Sequence, residues 1–233
     1  MIFIGGGSLL TQAVSYSLTL GLRVDAVCVP VGDPSIPRLK KNNVFILQSN
    51  NPTTEVVKIL DRLSDKIVFS VNNQFILGDS LLTLGPNYYN IHNGLVQNYR
   101  GIGEVCIFAA ICNGETKYGA TLHQIQQGQK VDSGRVIDQI QFSIKPKDDF
   151  YVVMKNSLEA CQKIFEINIQ RIVDNKYFSN YVELFNTAYS YKDIGRICAA
   201  SEPGRLIRAS SFRDFKVYFP KLVLAVDAAR FNQ

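Results

Sequence analysis

Histidine and paired cysteine are scarce in this sequence, and tryptophan is absent altogether. Only two of the 233 residues are histidines, His92 and His123. The five cysteines are widely spaced, no two of them form a Cys-x-x-Cys pair, and no histidine lies at ligand spacing from them. We therefore expect no zinc or other metal centre, and we interpret the thiols as reduced and mostly buried in a cytoplasmic protein.

Long hydrophobic runs are also missing, so no segment is predicted to span a bilayer and no membrane partner is expected. The first residues are apolar without a preceding basic region, which argues against a signal peptide. The net charge of +5 is modest and spread along the chain, so it favours an anionic small molecule more than a nucleic acid. A content of 46% hydrophobic and 19% charged residues is typical of an ordinary folded protein.

The alternation of strand-like and helix-like segments along the chain predicts the fold class. Apolar runs typical of buried strands occur at residues 2–4, 24–31, 44–47, 67–71 and 88–92. Apolar residues at helical spacing separate several of them. We predict right-handed crossovers and an α/β fold with a doubly wound, mostly parallel sheet.

Two details of this first part are also predicted. The turn Gly5-Gly6-Gly7 is followed by Ser8, which is expected to be the N-cap of the first helix. Residues 32–41 carry two prolines and several cations, which suggests a surface loop.

The second half of the chain is predicted to contain a short helix at residues 104–112, strands at 118–125 and 135–143, and a long helix from Asp148. From about residue 177 the composition changes, and two strand-like runs follow at residues 217–219 and 222–226. We therefore predict a main domain of residues 1–176 and a small C-terminal subdomain of residues 177–233.

Both histidines fall in one stretch that carries four polar motifs in a fixed order. These are Asn90-Ile91-His92, Tyr99-Arg100-Gly101, Gly119-Ala120-Thr121-Leu122-His123 and Asp132-Ser133-Gly134. In a strand, residues i and i+2 point the same way, so the Asn90 amide and the His92 imidazole are expected on one pocket wall. Open α/β sheets bind their ligands at the carboxyl ends of such strands.

The ordered set resembles the formyltransferase family that uses 10-formyltetrahydrofolate, over most of residues 1–140. This resemblance implies a Rossmann-like catalytic domain, a transferase of one-carbon metabolism, 10-formyltetrahydrofolate as co-substrate, no metal, and a primary amine as acceptor. It also implies that Asn90 binds the developing oxyanion, and that His92 relays a proton or holds the oxyanion. Asp132 would orient His92 or bind a water that carries the proton, and His123 would support the site.

The resemblance also assigns the folate-binding residues. They are Gln74, Phe75, Ile76 and Leu77 after the fourth strand, and Gln127 in the loop between the last two motifs. Two departures from the family affect this assignment. Asn72 and Asn73 stand where small or aromatic residues and glycine are usual, and the loop is about two residues longer than the family's spacing.

The acceptor is expected to contact Gly7, Ser8, Tyr99 and Arg100. A glycine turn before a helix can hold a phosphate group, although it can equally serve to bring the helix close to its strand. The run Arg208-Ala209-Ser210-Ser211-Phe212 resembles that of the sugar N-formyltransferases, which act on nucleotide-linked amino sugars. Glycinamide ribonucleotide, an amino acid acceptor, and a non-catalytic domain that keeps the fold remain as alternatives. A homodimer is compatible with this interpretation.

Overall fold

The computed structural model describes residues 1–231, and these contain seven strands and nine α-helices. The strands are β1 (Ile2–Gly5), β2 (Ala26–Val29), β3 (Ile46–Gln48), β4 (Ile67–Val71), β5 (Asn87–His92), β6 (Lys117–Ile125) and β7 (Val136–Ser143). The helices are α1 (Gly7–Thr19), α2 (Ile36–Lys41), α3 (Pro52–Val57), α4 (Asp79–Leu82), α5 (Gly103–Asn113), α6 (Phe150–Val173), α7 (Ile194–Ala200), α8 (Pro203–Ala209) and α9 (Pro220–Phe231). Within residues 1–231 no helix combines the length and the hydropathy needed to cross a bilayer.

All seven strands form one sheet in the order β3-β2-β1-β4-β5-β6-β7. The pairs β1–β2, β2–β3, β1–β4 and β4–β5 are parallel. Because β1 has β2 on one side and β4 on the other, the winding of the sheet reverses between β1 and β4, which makes this the switch point of the fold. The predicted α/β class with a doubly wound, mostly parallel sheet is confirmed.

The sheet centre is buried on both faces. Every residue of β1, β2 and β4 is buried, as expected for parallel strands that are covered by helices on both sides. Gly5 ends β1 with a φ of 145°, and a Cβ at this position would lie 1.8 Å from the carbonyl oxygen of Val71. A glycine is therefore required where β1 and β4 meet at the switch point.

Close contacts divide the chain into two units. Unit 1 comprises Met1–His92, Leu122–Asp138 and Cys161–Tyr181. On one face of its strands, the rings of Phe3 and Phe165 pack against Phe69 with centroid distances of 5.6 and 5.3 Å. Such rings contribute a large part of a core because each can bury about 150–250 Å².

Unit 2 comprises Asn93–Thr121, Gln139–Ala160 and the chain from Val182 onward. Helix α5 lies at its centre, since eight consecutive residues of that helix are buried. Phe150 packs edge to face against Phe212 at 4.9 Å. Each unit is made of three separate chain segments. The predicted domain boundary after residue 176 stays a prediction.

The predicted strands at residues 217–219 and 222–226 are wrong. Arg213–Val217 form a 3₁₀ turn, and Pro220 begins helix α9. A proline suits the first turn of a helix because its missing N–H has no intrahelical partner there. Leu222 and Val226, four residues apart, are fully buried, whereas Leu224 between them is 69% exposed. This is the spacing of a helix, and the short apolar run alone did not distinguish it from a strand.

Two smaller predictions are also wrong. Residues 32–41 are not all loop, because helix α2 forms within them around the buried Leu39, with both prolines at or before its first turn. Ser8 is not the N-cap of α1. Gly6 occupies that position in extended conformation, and the Gly7 N–H is bound by the side chain of Asp33.

Candidate active site

The candidate site begins at the carboxyl end of β5. Asn90 is in parallel register with Ser70 of β4, and its neighbours Tyr89 and Ile91 are buried. Because side chains alternate along a strand, Asn90 and His92 emerge together on the side opposite to Tyr89 and Ile91. Core packing of the intervening residues thus fixes where the two polar side chains lie.

Asp132 reaches this strand end from the segment between β6 and β7. Its φ of 50° is in the left-handed region, which aspartate tolerates better than most residues. Gly134 follows, and a Cβ there would lie 1.7 Å from the carbonyl oxygen of Gln124, so the chain returns tightly against the end of β6. The carboxylate of Asp132 lies 3.2 Å from Asn90 Nδ2 and 3.5 Å from His92 Nδ1. The predicted convergence of an amide, an imidazole and a carboxylate is confirmed, and their individual roles stay predictions.

His123 is a fourth member of this cluster. Its Nε2 lies 3.1 Å from Asn90 Nδ2 and 3.4 Å from Asp132 Oδ1, and its Nδ1 lies 2.9 Å from the carbonyl oxygen of Gln124. Because a carbonyl oxygen can only accept, Nδ1 carries a proton. In the neutral imidazole, Nε2 then accepts a hydrogen bond from the Asn90 amide. This contact would let His123 orient Asn90, and its supporting role stays a prediction.

The cluster is nearly closed to solvent. His92 is 5% exposed and His123 is 2% exposed. Groups in such surroundings interact more strongly than in water. The contact between His92 Nδ1 and Asp132, at 3.5 Å, is long for a hydrogen bond, which is common in active sites before substrate is bound. The arrangement can donate a hydrogen bond to a developing negative charge and can move a proton.

Tyr177, which follows α6, connects the two strands that carry the cluster. Its hydroxyl lies 3.0 Å from the hydroxyl of Tyr89, and it accepts a hydrogen bond of 3.0 Å from Gln124 Nε2. Tyr89 precedes Asn90 in β5, and Gln124 follows His123 in β6. Sequence reasoning missed Tyr177 because its partners lie 88 and 53 residues away, and no local pattern marks such a contact.

A second connection to the same segment is made by the main chain. Val136 and Asn180 exchange two backbone hydrogen bonds, of 2.8 and 2.9 Å, at the start of β7. Arg135 donates to the carbonyl oxygen of Ser179 at 2.7 Å and lies over the ring of Tyr181. Residues 177–181 are thus bonded to the chain on both sides of the Asp132 turn.

The glycine turn is occupied by side chains. Gly7 donates its N–H to Asp33 Oδ1 at 3.2 Å, and Asn72 Nδ2 donates to the carbonyl oxygen of Gly6 at 3.0 Å. Ser8 is exposed at the start of α1. The substrate-binding roles of Gly7 and Ser8 stay predictions. Asp33 had no sequence signal beyond its place in a Gly-Asp-Pro turn.

The predicted folate segment follows β4. Asn73 binds both main-chain groups of Phe75, since its Nδ2 donates to the carbonyl oxygen at 2.8 Å and its Oδ1 accepts from the N–H at 3.0 Å. Leu77 is buried, Phe75 is half-buried and Ile76 is 82% exposed. The two other predicted folate residues, Gln74 and Gln127, are exposed, the latter at the tip of the loop after β6. The folate-binding assignments stay predictions.

The two predicted acceptor residues of unit 2 are buried. Tyr99 is 3% exposed, donates to Glu115 Oε1 at 2.8 Å, accepts from Asn113 Nδ2 at 3.1 Å, and stacks on the ring of Tyr189. Burial raises the pKa of Tyr99 well above its usual value. Arg100 binds the carbonyl oxygen of Asn186 through Nε and Nη2, at 3.2 and 2.9 Å. Their substrate contacts stay predictions.

No group of three or more His, Cys, Asp or Glu side chains in the described part of the chain is arranged to hold a metal ion. The polar groups of the cluster are instead suited to hydrogen bonding and proton transfer.

Solved structures share this fold. An N-formyltransferase from Helicobacter canadensis, in complex with folinic acid and dTDP-3-aminofucose, superposes with a TM-score of 0.73 at 22% identity, over 92% of this chain and 81% of that one. A 4-N formyltransferase from Francisella tularensis superposes with a TM-score of 0.73 at 18% identity, over 90% and 87%. A glycinamide ribonucleotide transformylase from Symbiobacterium toebii has a TM-score of 0.69 at 19% identity, over 78% and 93%. At these identities the superpositions show the fold alone.

The sequence itself identifies the family. A family model described as formyl transferase matches residues 33–169, which is more than half of the chain and includes Asn90, His92, His123 and Asp132. The chain therefore belongs to the formyl transferase family, and the resemblance seen in its ordered motifs is confirmed.

Proposed function

We propose that this formyltransferase moves the formyl group of 10-formyltetrahydrofolate to the primary amine of a nucleotide-linked amino sugar. The observation that carries the proposal is the meeting of Asn90, His92 and Asp132 at one strand end in a chain of this family. An amide, an imidazole and a carboxylate are the groups that acyl transfer to nitrogen requires.

The reaction forms one C–N bond, breaks another, and moves one proton. The neutral acceptor nitrogen attacks the formyl carbon, and the carbonyl oxygen gains negative charge. The bond between the formyl carbon and N10 of the folate then breaks, and its electron pair stays on N10. The proton lost by the acceptor nitrogen ends on N10, so that the N-formylated acceptor and tetrahydrofolate are the products.

Each of the three side chains has a step in this scheme. One N–H of the Asn90 amide leaves its 3.2 Å contact with Asp132 Oδ1 and donates to the oxygen as it becomes negative. A contact of this kind is worth on the order of 3 kcal/mol of barrier in other enzymes. His92 accepts and passes on the proton. Asp132, beside His92 Nδ1 at 3.5 Å, orients the ring and stabilises it when it is charged. His123 holds Asn90 by the 3.1 Å contact at Nε2.

Folate binding is proposed for residues 74–77 and Gln127. The partly buried Phe75 and the buried Leu77 supply apolar surface after β4. The Asn73 side chain holds the main chain of Phe75 in a fixed turn, which would set the shape of this surface before folate arrives.

The nucleotide-linked amino sugar is favoured by two observations. The N-formyltransferase from Helicobacter canadensis, solved with dTDP-3-aminofucose, and the 4-N formyltransferase from Francisella tularensis superpose on 92% and 90% of this chain, whereas the glycinamide ribonucleotide transformylase superposes on 78%. The run from Arg208 to Phe212 resembles that of the sugar N-formyltransferases. We also propose a cytoplasmic location and small molecules as partners, without nucleic acid or membrane, and a homodimer that light scattering can test.

The test is a direct assay. The purified protein is incubated with 10-formyltetrahydrofolate and, in separate reactions, with dTDP-linked amino sugars, UDP-linked amino sugars, glycinamide ribonucleotide and free amino acids. Tetrahydrofolate release and the mass of the formylated product are recorded. We expect turnover with an amino sugar nucleotide.

Two results would contradict the proposal. Turnover with glycinamide ribonucleotide alone would reject the sugar acceptor and keep the enzyme. Absence of turnover with every amine, at the level of an Asn90→Ala variant, would favour a non-catalytic domain that has kept the fold.

A further inference from the structure

The switch point between β1 and β4 is where an open α/β sheet usually binds a ligand, and here two side chains form hydrogen bonds to the glycine turn at this point. Asp33 enters from the loop after β2, and Asn72 enters from the loop after β4. Both make hydrogen bonds to the glycine turn that begins α1. The glycine turn, where this kind of fold often binds an anion, is therefore already bonded to the Asp33 carboxylate.

The Asp33 carboxylate is held firmly in this position. Its Oδ1 accepts from the Gly7 N–H at 3.2 Å, from the Ser35 N–H at 2.8 Å and from the Ser35 hydroxyl. Ser35 is itself buried. The other oxygen, Oδ2, would lie 2.2 Å from a Cβ at Gly6, so Gly6 has to lack a side chain to admit the carboxylate.

A carboxylate at this point does what a bound phosphate does elsewhere. The first N–H groups of a helix and its dipole favour one negative group, and α1 has 13 residues but no acidic residue in its first turn. Asp33 supplies that charge from another part of the chain. A phosphate that approached the same N–H groups would have to displace the carboxylate or lie beside a like charge.

We propose that Asp33 is a specificity-determining residue, which closes the glycine turn to acceptors that would place a phosphate group there. The inference deepens the proposed function, and rests on it, because it favours acceptors whose charged group binds elsewhere over those anchored by a phosphate at α1. This inference predicts that the wild type binds phosphate weakly at Gly7, whereas the substrate-binding prediction for Gly7 and Ser8 expects an acceptor to bind there. One titration distinguishes the two.

The titration uses two variants and one matched control. Asp33→Asn removes the charge and keeps an oxygen that can accept from Gly7 and Ser35. Asp33→Ala also removes the acceptor and frees the Gly7 N–H. Asp79→Asn is the control, because Asp79 is an exposed acidic residue in the first turn of another helix, α4.

Inorganic phosphate and glycinamide ribonucleotide are titrated into each protein by calorimetry, and the Gly7 amide is followed by NMR. We expect Asp33→Ala to bind phosphate at least about tenfold more tightly than the wild type, with a shift of the Gly7 amide. The phosphate affinity of Asp33→Asn is expected to lie between those of Asp33→Ala and the wild type. The affinity of Asp79→Asn is expected to match that of the wild type. Circular dichroism establishes that each variant is folded.

Tight phosphate binding to the wild type with a shift of Gly7 would overturn the inference. So would a folded Asp33→Ala variant that gains no affinity at Gly7. These results do not depend on formyl transfer, because they are equilibrium measurements without folate. Failure of the proposed function appears separately, as absent turnover with every amine.

Discussion

Two polar clusters, one in each unit and each around a buried ring, differ in what their hydrogen bonds do. In unit 2, Tyr99 is bonded to Glu115 at 2.8 Å and to Asn113 at 3.1 Å. In unit 1, His92 and His123 face Asp132 at 3.5 and 3.4 Å. The contacts of Tyr99 are short, and its ring is packed between other aromatic rings.

We infer from this difference that the cluster of unit 2 supports the fold and that the cluster of unit 1 takes part in the reaction. Short bonds around a neutral phenol stabilise the fold and leave little to gain when a ligand binds. Long contacts among groups that exchange protons leave room for the rearrangement that a substrate brings. We therefore expect substitutions in the first cluster to change stability and those in the second to change turnover.

The largest effect is expected in the site of unit 1. Asn90→Ala, His92→Ala and Asp132→Asn should each lower kcat by about 100-fold or more. The first removes the proposed oxyanion donor, the second the proposed proton carrier, and the third the charge that is proposed to orient and stabilise His92. Asparagine is chosen at position 132 because it tolerates the positive φ. Steady-state kinetics measure kcat, and thermal melting measures stability. Asn87→Ala, at the exposed start of the same strand, is the control and should keep full activity.

A smaller effect is expected at Tyr177. Tyr177→Phe removes the hydroxyl that joins Tyr89 and Gln124, so the ends of β5 and β6 lose a common partner. We expect kcat to fall about tenfold with little change of KM, since a small misplacement of catalytic groups is costly. The exposed Tyr218→Phe serves as control. Unchanged kcat would show that the strands hold the site without this bond.

The next test concerns stability. Tyr99→Phe leaves Glu115 without its phenolic donor, and we expect a loss of about 1–3 kcal/mol in the free energy of unfolding, with KM unchanged. Denaturant titration measures the free energy of unfolding, and steady-state kinetics measure KM. Glu115→Gln keeps an acceptor and should cost less. A raised KM in Tyr99→Phe would instead support the predicted contact of Tyr99 with the acceptor.

The smallest effect is expected at two buried thiols. Burial raises the pKa of Cys28 and of Cys112 from 9.0 to about 11, so each thiol keeps its proton at pH 8 and only roughly one molecule in a thousand carries a thiolate there. We expect almost no reaction of these thiols with a disulfide reagent in the folded protein, and full reaction in denaturant. Rapid labelling of Cys28 or Cys112 without denaturant would show that the interior opens.

The sequence predicted most of unit 1 because its signals are local. Continuous apolar runs indicate buried parallel strands, and alternation along β5 places Asn90 and His92 on one side. Asp132 was found through the order of motifs. Asp33 and Tyr177 were not predicted, because their partners at Gly7 and Gln124 lie 26 and 53 residues away.

The C-terminal helix shows a second limit of sequence reasoning. The run from Leu222 to Val226 is apolar at almost every position and gives no clear period, although Pro220 before it is a helix-start signal. Tertiary packing selects the helix over the strand, since Leu222 and Val226 are both buried and lie one helical turn apart. A strand would place them on the same face too, so the burial of Leu222 and exposure of Leu224 carry the distinction.

The bonds made by residues 177–181 have a practical consequence for anyone who shortens this protein. A chain cut after residue 176 would lose the hydroxyl shared by Tyr89 and Gln124 and both main-chain partners of Val136. Protease trimming or expression of a minimal fragment should therefore stop no earlier than Tyr181, where unit 1 ends.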